Sequence, residues 1–423
     1  MRATTSFSTT DGLSYGLLGL PLAFVALPLY VVLPNHYATE FGLPLATLGV
    51  LLLVARLFDA FIDPLIGKFS DRLFARSPKR VLNVGVAAAL ALWLGFVLLF
   101  FPPLKSGYPL LAWASLLLVL TYTAYSLLSV MHQSWGAMLG GDAAQRSRIV
   151  GWREGLGLVG VVLAAVLPVL AGLHVTAAVL LVALVAGCRA WRHTAAPTPE
   201  AATHAGSVWH PWRAPEFRQL LLVFMPNGIA SAVPATLVLF FVQDRLQAPP
   251  AMQPAFLGLY FISAALSIPC WLRVVRRLGI ARAWLIGMVG SIAAFGCAWQ
   301  LGAGDTTAFL IVCALSGAML GSDLALPGAL LAGVIARAGD QGRAEGAYFG
   351  WWNFATKLNL ALAAGLALPL LALLGYTPGT RDAQGLAALS MAYCLLPCAL
   401  KTCAAVILYL QLRRLPTYGS PTS

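Results

Sequence analysis

Charge is what this sequence has least of. Only 10% of its 423 residues are Asp, Glu, Lys or Arg, against about 25% in an ordinary soluble domain, which excludes a water-soluble globular fold for the bulk of the chain. Acids are scarcest, with 15 Asp and Glu against 27 Lys and Arg. The 7 cysteines (188, 270, 297, 313, 394, 398 and 403) include no Cys-x-x-Cys pair and have no nearby His to complete a zinc site. They read as small core residues of apolar helices. Also missing are a Gly-x-x-x-x-Gly-Lys phosphate loop and a nucleophile and base at motif spacing, so neither an enzyme nor a cofactor is expected.

What fills the sequence is apolar: 60% of the residues are hydrophobic, and the mean hydropathy is +0.82. The apolar runs recur along the whole chain, each close to the roughly 20 residues that cross a bilayer core as a helix. They predict an all-α membrane protein with about twelve spans, over 14–34, 44–66, 81–101, 110–135, 149–172, 173–187, 219–242, 254–274, 282–301, 307–336, 347–374 and 386–411. The first run is longer than a signal-peptide core and lacks a small-residue cleavage site, so it is expected to remain as a span.

The net charge of +12 is a matter of topology rather than of nucleic-acid binding. With the N-terminus in the cytoplasm, only Lys105, Arg245 and Arg381 fall in outer loops, and Arg56, Arg153, Lys357 and Lys401 fall within spans; the other Lys and Arg lie on the inner side. By the positive-inside rule both termini are cytoplasmic, in the inner (plasma) membrane.

Residues 188–218 form the long polar stretch between spans and divide the chain into a six-helix bundle over 1–187 and another over 219–423. This linker reads as an irregular cytoplasmic connection, with its histidines 193, 204 and 210 in solvent. The halves are weakly alike: Gly67-Lys-Phe-Ser-Asp71-Arg72 follows the second span, and Trp271-Leu-Arg273-Val-Val-Arg276-Arg277-Leu-Gly279 follows the eighth. Such a duplicated unit resembles the plan of the major facilitator superfamily, with substrate near the midplane. The Gly-x-x-x-Asp-Arg segment is also similar to that superfamily's loop between helices 2 and 3.

The second span holds two carboxylates, Asp59 and Asp63. A mid-membrane carboxylate costs about 2.5 to 3.5 kcal/mol on insertion scales, so one that is kept there handles an ion or a proton or is paired. At i and i+4 the two share a helix face, roughly 6 Å apart at Cβ, and both could contact one small cation. A bound cation or a shared proton relieves their repulsion; oxygen ligands suit Na+, and a raised pKa suits H+. The alternative is that each acid pairs with a buried Arg, with Arg56 the nearest candidate. Pro64 removes a backbone donor just beyond Asp63 and either opens carbonyl oxygens near the site or merely kinks the helix.

The string Arg56-x-x-Asp59-Ala-x-x-Asp63-Pro64-x-x-Gly67-x-x-x-Asp71-Arg72 resembles the helix 2 signature of the glycoside-pentoside-hexuronide:cation symporters, the melibiose carrier group. Tyr122 to Ala137 with Arg146 to Arg153 is similar to that family's passage from helix 4 to helix 5, and Gly346 to Lys357 to its helix 11 with a buried lysine. The resemblance implies a major facilitator fold in which Asp59 and Asp63 are cation ligands and Ser126 completes the site. Arg153 and Lys357 would line the central cavity. Arg153, near the cytoplasmic end of the fifth span, could instead pair with Glu154 or reach the inner headgroups.

Substrate residues depart from that family. Where members that hold galactosides present an acid from helices 1 and 4, this chain has Pro21 (Ala23 in a shifted register) and Ser129. Ile62 between the two acids removes an oxygen ligand, which shifts weight from Na+ toward H+. In exchange the tenth span carries Asp323, which with Lys357 could bind a polar substrate group or form a neutral pair. Asn227 in the seventh span offers an amide to substrate or to a neighbouring helix. Lys401 is read as reaching the inner headgroups. Trp135, Trp152, Tyr348, Trp351 and Trp352 are candidates for stacking on a sugar, although aromatics near span ends commonly anchor at the interface.

The expected function is cation-coupled symport, with Na+ or H+, of a small polar solute such as a sugar or sugar acid, by a monomer whose partners are that solute and the bilayer. Melibiose is expected to bind poorly, and the cavity cations Arg153 and Lys357 lean toward an anionic or zwitterionic solute, such as a uronate-like sugar. A carrier of amphiphilic or lipid-like solutes and a proton-driven exporter are the alternatives, since both would use the same helix 2 acids.

Overall fold

The computed structural model describes residues 7–197, 207–377 and 379–414, and among these all regular structure is helical. Twelve long helices follow one another: α1 (Thr9–Phe41), α2 (Leu45–Arg76), α3 (Pro78–Phe100), α4 (Gly107–Met138), α5 (Ala143–Leu170), α6 (Gly172–Arg192), α7 (Pro215–Arg245), α8 (Gln253–Leu278), α9 (Ile280–Ala298), α10 (Thr306–Arg337), α11 (Glu345–Leu373) and α12 (Ala383–Arg413). Eleven of them are long and apolar enough to cross a membrane. The twelfth, α2, is 32 residues long and carries Asp59 and Asp63.

Proline accounts for two of the π turns among the described residues. A π turn occupies Pro28–Val32 of α1, ahead of Pro34, and another occupies Met391–Leu395 of α12, ahead of Pro397. A proline has no N–H to give the carbonyl four residues before it, so the backbone widens by one residue there. α2, by contrast, runs through Pro64 without a break.

Two expectations are corrected. The Gly67 to Arg72 segment is not a loop: α2 continues to Arg76, and the turn is made at Ser77, whose hydroxyl accepts from the Lys79 N–H to cap α3. The linker is not wholly irregular either. Trp209 and Trp212 pack against the ring of Trp351 at 4.9 and 5.1 Å, the Trp351 indole donates to the Val208 carbonyl at 2.8 Å, and His210 meets Asp340 at 2.9 Å. His204 lies outside the described residues.

The helices gather into two compact units. One holds α1 to α4, α5 from Arg148 onward, α6 and the stretch Ala332–Phe354; the other holds Pro215–Leu331 and the chain from Ala355. The first unit has a continuous core around Phe24, Phe96, Trp135 and Trp191. Trp135, a candidate interfacial or sugar-stacking residue, is buried there between Phe74 and Trp191. The second unit centres on Phe241, Phe256, Phe309 and Tyr393, with Phe241 and Tyr393 stacked at 4.2 Å.

Within the first unit the start of α11 crosses α2 backbone to backbone. A Cβ at Gly67 would overlap the Gly346 carbonyl, and one at Gly346 would overlap the Gly67 carbonyl; one turn further, Gly350 rests on the backbone of Asp63. The Asp71 carboxylate then accepts from the Gly346 and Ala347 N–H groups at 2.6 and 2.9 Å, filling donors that a helix N-terminus leaves open. Overpacking a close crossing costs about 1 to 3 kcal/mol. Gly67→Val is therefore expected to lower the melting temperature of the purified protein clearly, while Gly49→Val on the same helix, where a Cβ meets open space, leaves it unchanged.

Candidate functional site

α2 and α4 build the centre of the first unit's site. Asp59 and Asp63 stand one turn apart on α2 and are 2% and 0% exposed. Ser126, one turn beyond Tyr122 on α4, donates from Oγ to Asp59 Oδ1 at 2.7 Å. The family resemblance alone implies Ser126 beside these acids, and the geometry brings them together across 67 residues of chain. Arg56, the candidate counter-ion, lies with its guanidinium over the Tyr30 ring of α1, 4.4 Å from the centroid. The phenols of Tyr30, Tyr122 and Tyr125 all lie within electrostatic reach of Asp59. Among the described residues no group of three or more His, Cys, Asp or Glu could hold a metal ion, so any cation here would rest on two carboxylates, a hydroxyl and carbonyl or phenol oxygens.

Arg153 lies on α5 where α1 passes closely: a Cβ at Gly19 would overlap the Arg153 carbonyl. Its guanidinium donates from Nε to Glu154 Oε1 at 3.0 Å, and Nη2 reaches the same oxygen. The pairing with Glu154, the alternative to a free cavity cation, is the arrangement found. Ser129 on α4 is nearly buried and accepts a long hydrogen bond of 3.4 Å from Gln133.

The second unit has its own buried charge, and here the expected pair is corrected. The partner of Asp323 is Lys401 on α12, with Nζ to Oδ2 at 2.6 Å, and not Lys357. Asn227 and Trp284 donate to Oδ1 at 3.1 and 2.9 Å, and Ser231 donates to Oδ2 at 3.3 Å. Lys401 Nζ also donates to Ser231 at 3.0 Å. Four donors from three other helices thus fill both oxygens, and Asn227 serves the carboxylate in this arrangement. Lys401 does not reach headgroups: it is 4% exposed, roughly 18 Å from the end of α12 at the usual helical rise. Beside the pair is a cavity of about 20 Å³, lined in part by Tyr260, Ser291, Ser316 and Lys401, room for one water.

Sequence reasoning misses Ser231 and Trp284 as members of these sites and misplaces Lys401; it reaches Glu154 only as a pairing partner for Arg153. Asn227 and Ser231 stand at i and i+4 on α7, a spacing that marks a polar face directed at one partner.

The chain is similar to several known proteins. Over 155 residues, 35% of this chain and 32% of the relative, the chain is 27% identical to the provisionally named glycoside/cation symporter YagG of Escherichia coli (strain K12). Over 131 residues, 31% of this chain and 28% of the relative, it is 30% identical to the inner membrane symporter YicJ of the same organism. The matched stretches therefore span about a third of those relatives' lengths. Among solved structures, a bacterial homologue of the iron transporter ferroportin in an outward-facing state superposes with a TM-score of 0.70 at 17% identity, covering 94% of this chain and 99% of that one. The major facilitator transporter FucP in its outward conformation gives 0.66 at 14% identity, covering 96% and 99%. At those identities the likeness is one of fold, the major facilitator fold. The profile of the MFS/sugar transport protein family matches residues 14–412, nearly the whole chain, and the protein belongs to that family of multi-pass membrane carriers.

Proposed function

We propose that the protein is a secondary active transporter that couples Na+ or H+ to the symport of a small polar solute, a sugar or sugar derivative, by alternating access. It works as a monomer in the inner membrane with both termini in the cytoplasm. The observation that carries this is the buried Asp59 and Asp63 pair with Ser126 on Asp59. Two ionised carboxylates one turn apart repel each other, and a cation or proton between them removes both the repulsion and part of the desolvation cost. Cation occupancy then changes the energy of the α2 and α4 contact, and a solute bound in the same unit senses that change. This is the differential interaction that coupling requires. The names of the matched symporters agree with the reading.

The test is uptake into proteoliposomes of labelled uncharged glycosides, glycuronides and a lysolipid under imposed Na+ or H+ gradients. Accumulation of a glycoside or glycuronide that collapses with the gradient is expected, with melibiose among the weakest because Pro21 and Ser129 stand where galactoside-binding acids would be. Accumulation of the lysolipid alone, or of nothing under either gradient, overturns the proposal.

A further inference from the structure

Glu154 lies on α5 five residues into the apolar run 149–172, about 8 Å past its start at a rise of 1.5 Å per residue, and so within the length of helix that the bilayer core takes up. The side chains of Arg153 and Glu154 are each 22% exposed. At that depth exposed surface meets either lipid tails or a water-filled space, and ionised side chains face the latter. The surroundings point the same way. The phenol of Tyr125 on α4 lies within electrostatic reach of Arg153, Glu154, Asp59 and Asp63, and the buried Tyr15 of α1 lies within reach of Arg153 and Glu154. The pair therefore looks into the interior that the α2 acids border.

Its geometry leaves an oxygen open. A fork-to-fork arginine and carboxylate pair places one N–H on each oxygen, but here Nε and Nη2 both reach Oε1. Oε2 accepts no hydrogen bond from the described residues. A carboxylate oxygen held by a neighbouring guanidinium, partly desolvated and unoccupied by protein donors, is an acceptor for neutral O–H groups. Such an acceptor is what Pro21 on α1 and Ser129 on α4 do not supply.

We propose that Glu154 is a substrate-binding residue, accepting hydroxyl hydrogens of an uncharged polyhydroxylated solute at Oε2 while Arg153 fixes the carboxylate and offers its remaining N–H groups to an adjacent solute oxygen. The inference rests on the sugar-carrier reading above and narrows it. Glu154 neutralises Arg153, so one of the two cations that favoured an anionic solute, Arg153 and Lys357, is already matched. A uronate would also bring its carboxylate against Glu154, a like-charge contact that selects against it.

The test is equilibrium binding to the purified full-length protein of labelled methyl xyloside, methyl glucoside and methyl glucuronide, with Na+ or H+ binding measured separately. The wild type is expected to bind at least one uncharged glycoside, and the glucuronide at least tenfold more weakly. Glu154→Gln should weaken the glycoside by about ten- to hundredfold, the range for a lost hydrogen bond to a charged group, with cation binding retained. Glu154→Asp keeps the charge beside Arg153 but withdraws the oxygen by one methylene, so it should fold normally and still bind weakly. Unchanged glycoside affinity in both variants, or a preference for the glucuronide, overturns the role of Glu154 while leaving the carrier reading intact. Binding of neither sugar class by the wild type overturns both.

Discussion

Asp63→Asn and Asp59→Asn are each expected to abolish gradient-driven accumulation while the protein stays folded in the membrane. The two side chains share one face of α2 and are essentially excluded from solvent, so their charges interact strongly and a coupling cation has both as ligands. Removing one charge removes a ligand and also removes the repulsion. The link between ion and solute is thereby lost. The expected phenotype is a carrier that still exchanges internal for external solute but no longer concentrates it, its accumulation ratio falling to about one. Asp59→Asn keeps an amide oxygen for the Ser126 hydroxyl, so its loss would be one of charge rather than of a hydrogen bond. Full accumulation by both variants, at normal expression, would remove the ion site.

These acids are legible in the sequence because their signal is an energy that the chain itself carries: charge inside an apolar run is costly wherever that run ends up. Ser126 is different. Nothing in its own neighbourhood marks it, and only the resemblance of the α2 string to a known family points across to α4. The end of α2 is obscured because Gly67 suggests a turn. Glycine is tolerated inside a helix at a cost of about 1 kcal/mol, and here a close crossing requires it, so the helix continues to the Ser77-Pro78 break. Glu154 is visible only as a neighbour of Arg153. Adjacent helical residues point in different directions, and two long side chains have to bend toward each other to meet.

The partner of Asp323 is beyond the reach of sequence for a further reason: which helix faces which depends on rotation and depth, and neither follows from the order of the spans. Lys357 on α11 and Lys401 on α12 are equally available by composition. Depth is the deciding quantity, since a lysine well inside α12 cannot bring its ammonium to the headgroups and must find an anion within the protein.

A double-mutant cycle on Asp323 and Lys401 should show a strong coupling. Breaking a buried ion pair from one side leaves an uncompensated charge and costs about 3 to 5 kcal/mol, so Asp323→Asn and Lys401→Met alone should each reduce the yield of folded protein sharply. Asp323→Asn strands an ammonium that keeps only Ser231, while Lys401→Met strands a carboxylate that keeps Asn227, Trp284 and Ser231. The second should be the milder, because three donors remain on the charge. The double variant removes both charges, and its folded yield should return close to that of the wild type. Measured by thermal unfolding in detergent, the two changes should be strongly non-additive, whereas Asp323→Asn and Lys357→Met should add. Additive losses for Asp323 and Lys401, or rescue of Asp323→Asn by Lys357→Met instead, would return the pair to α11.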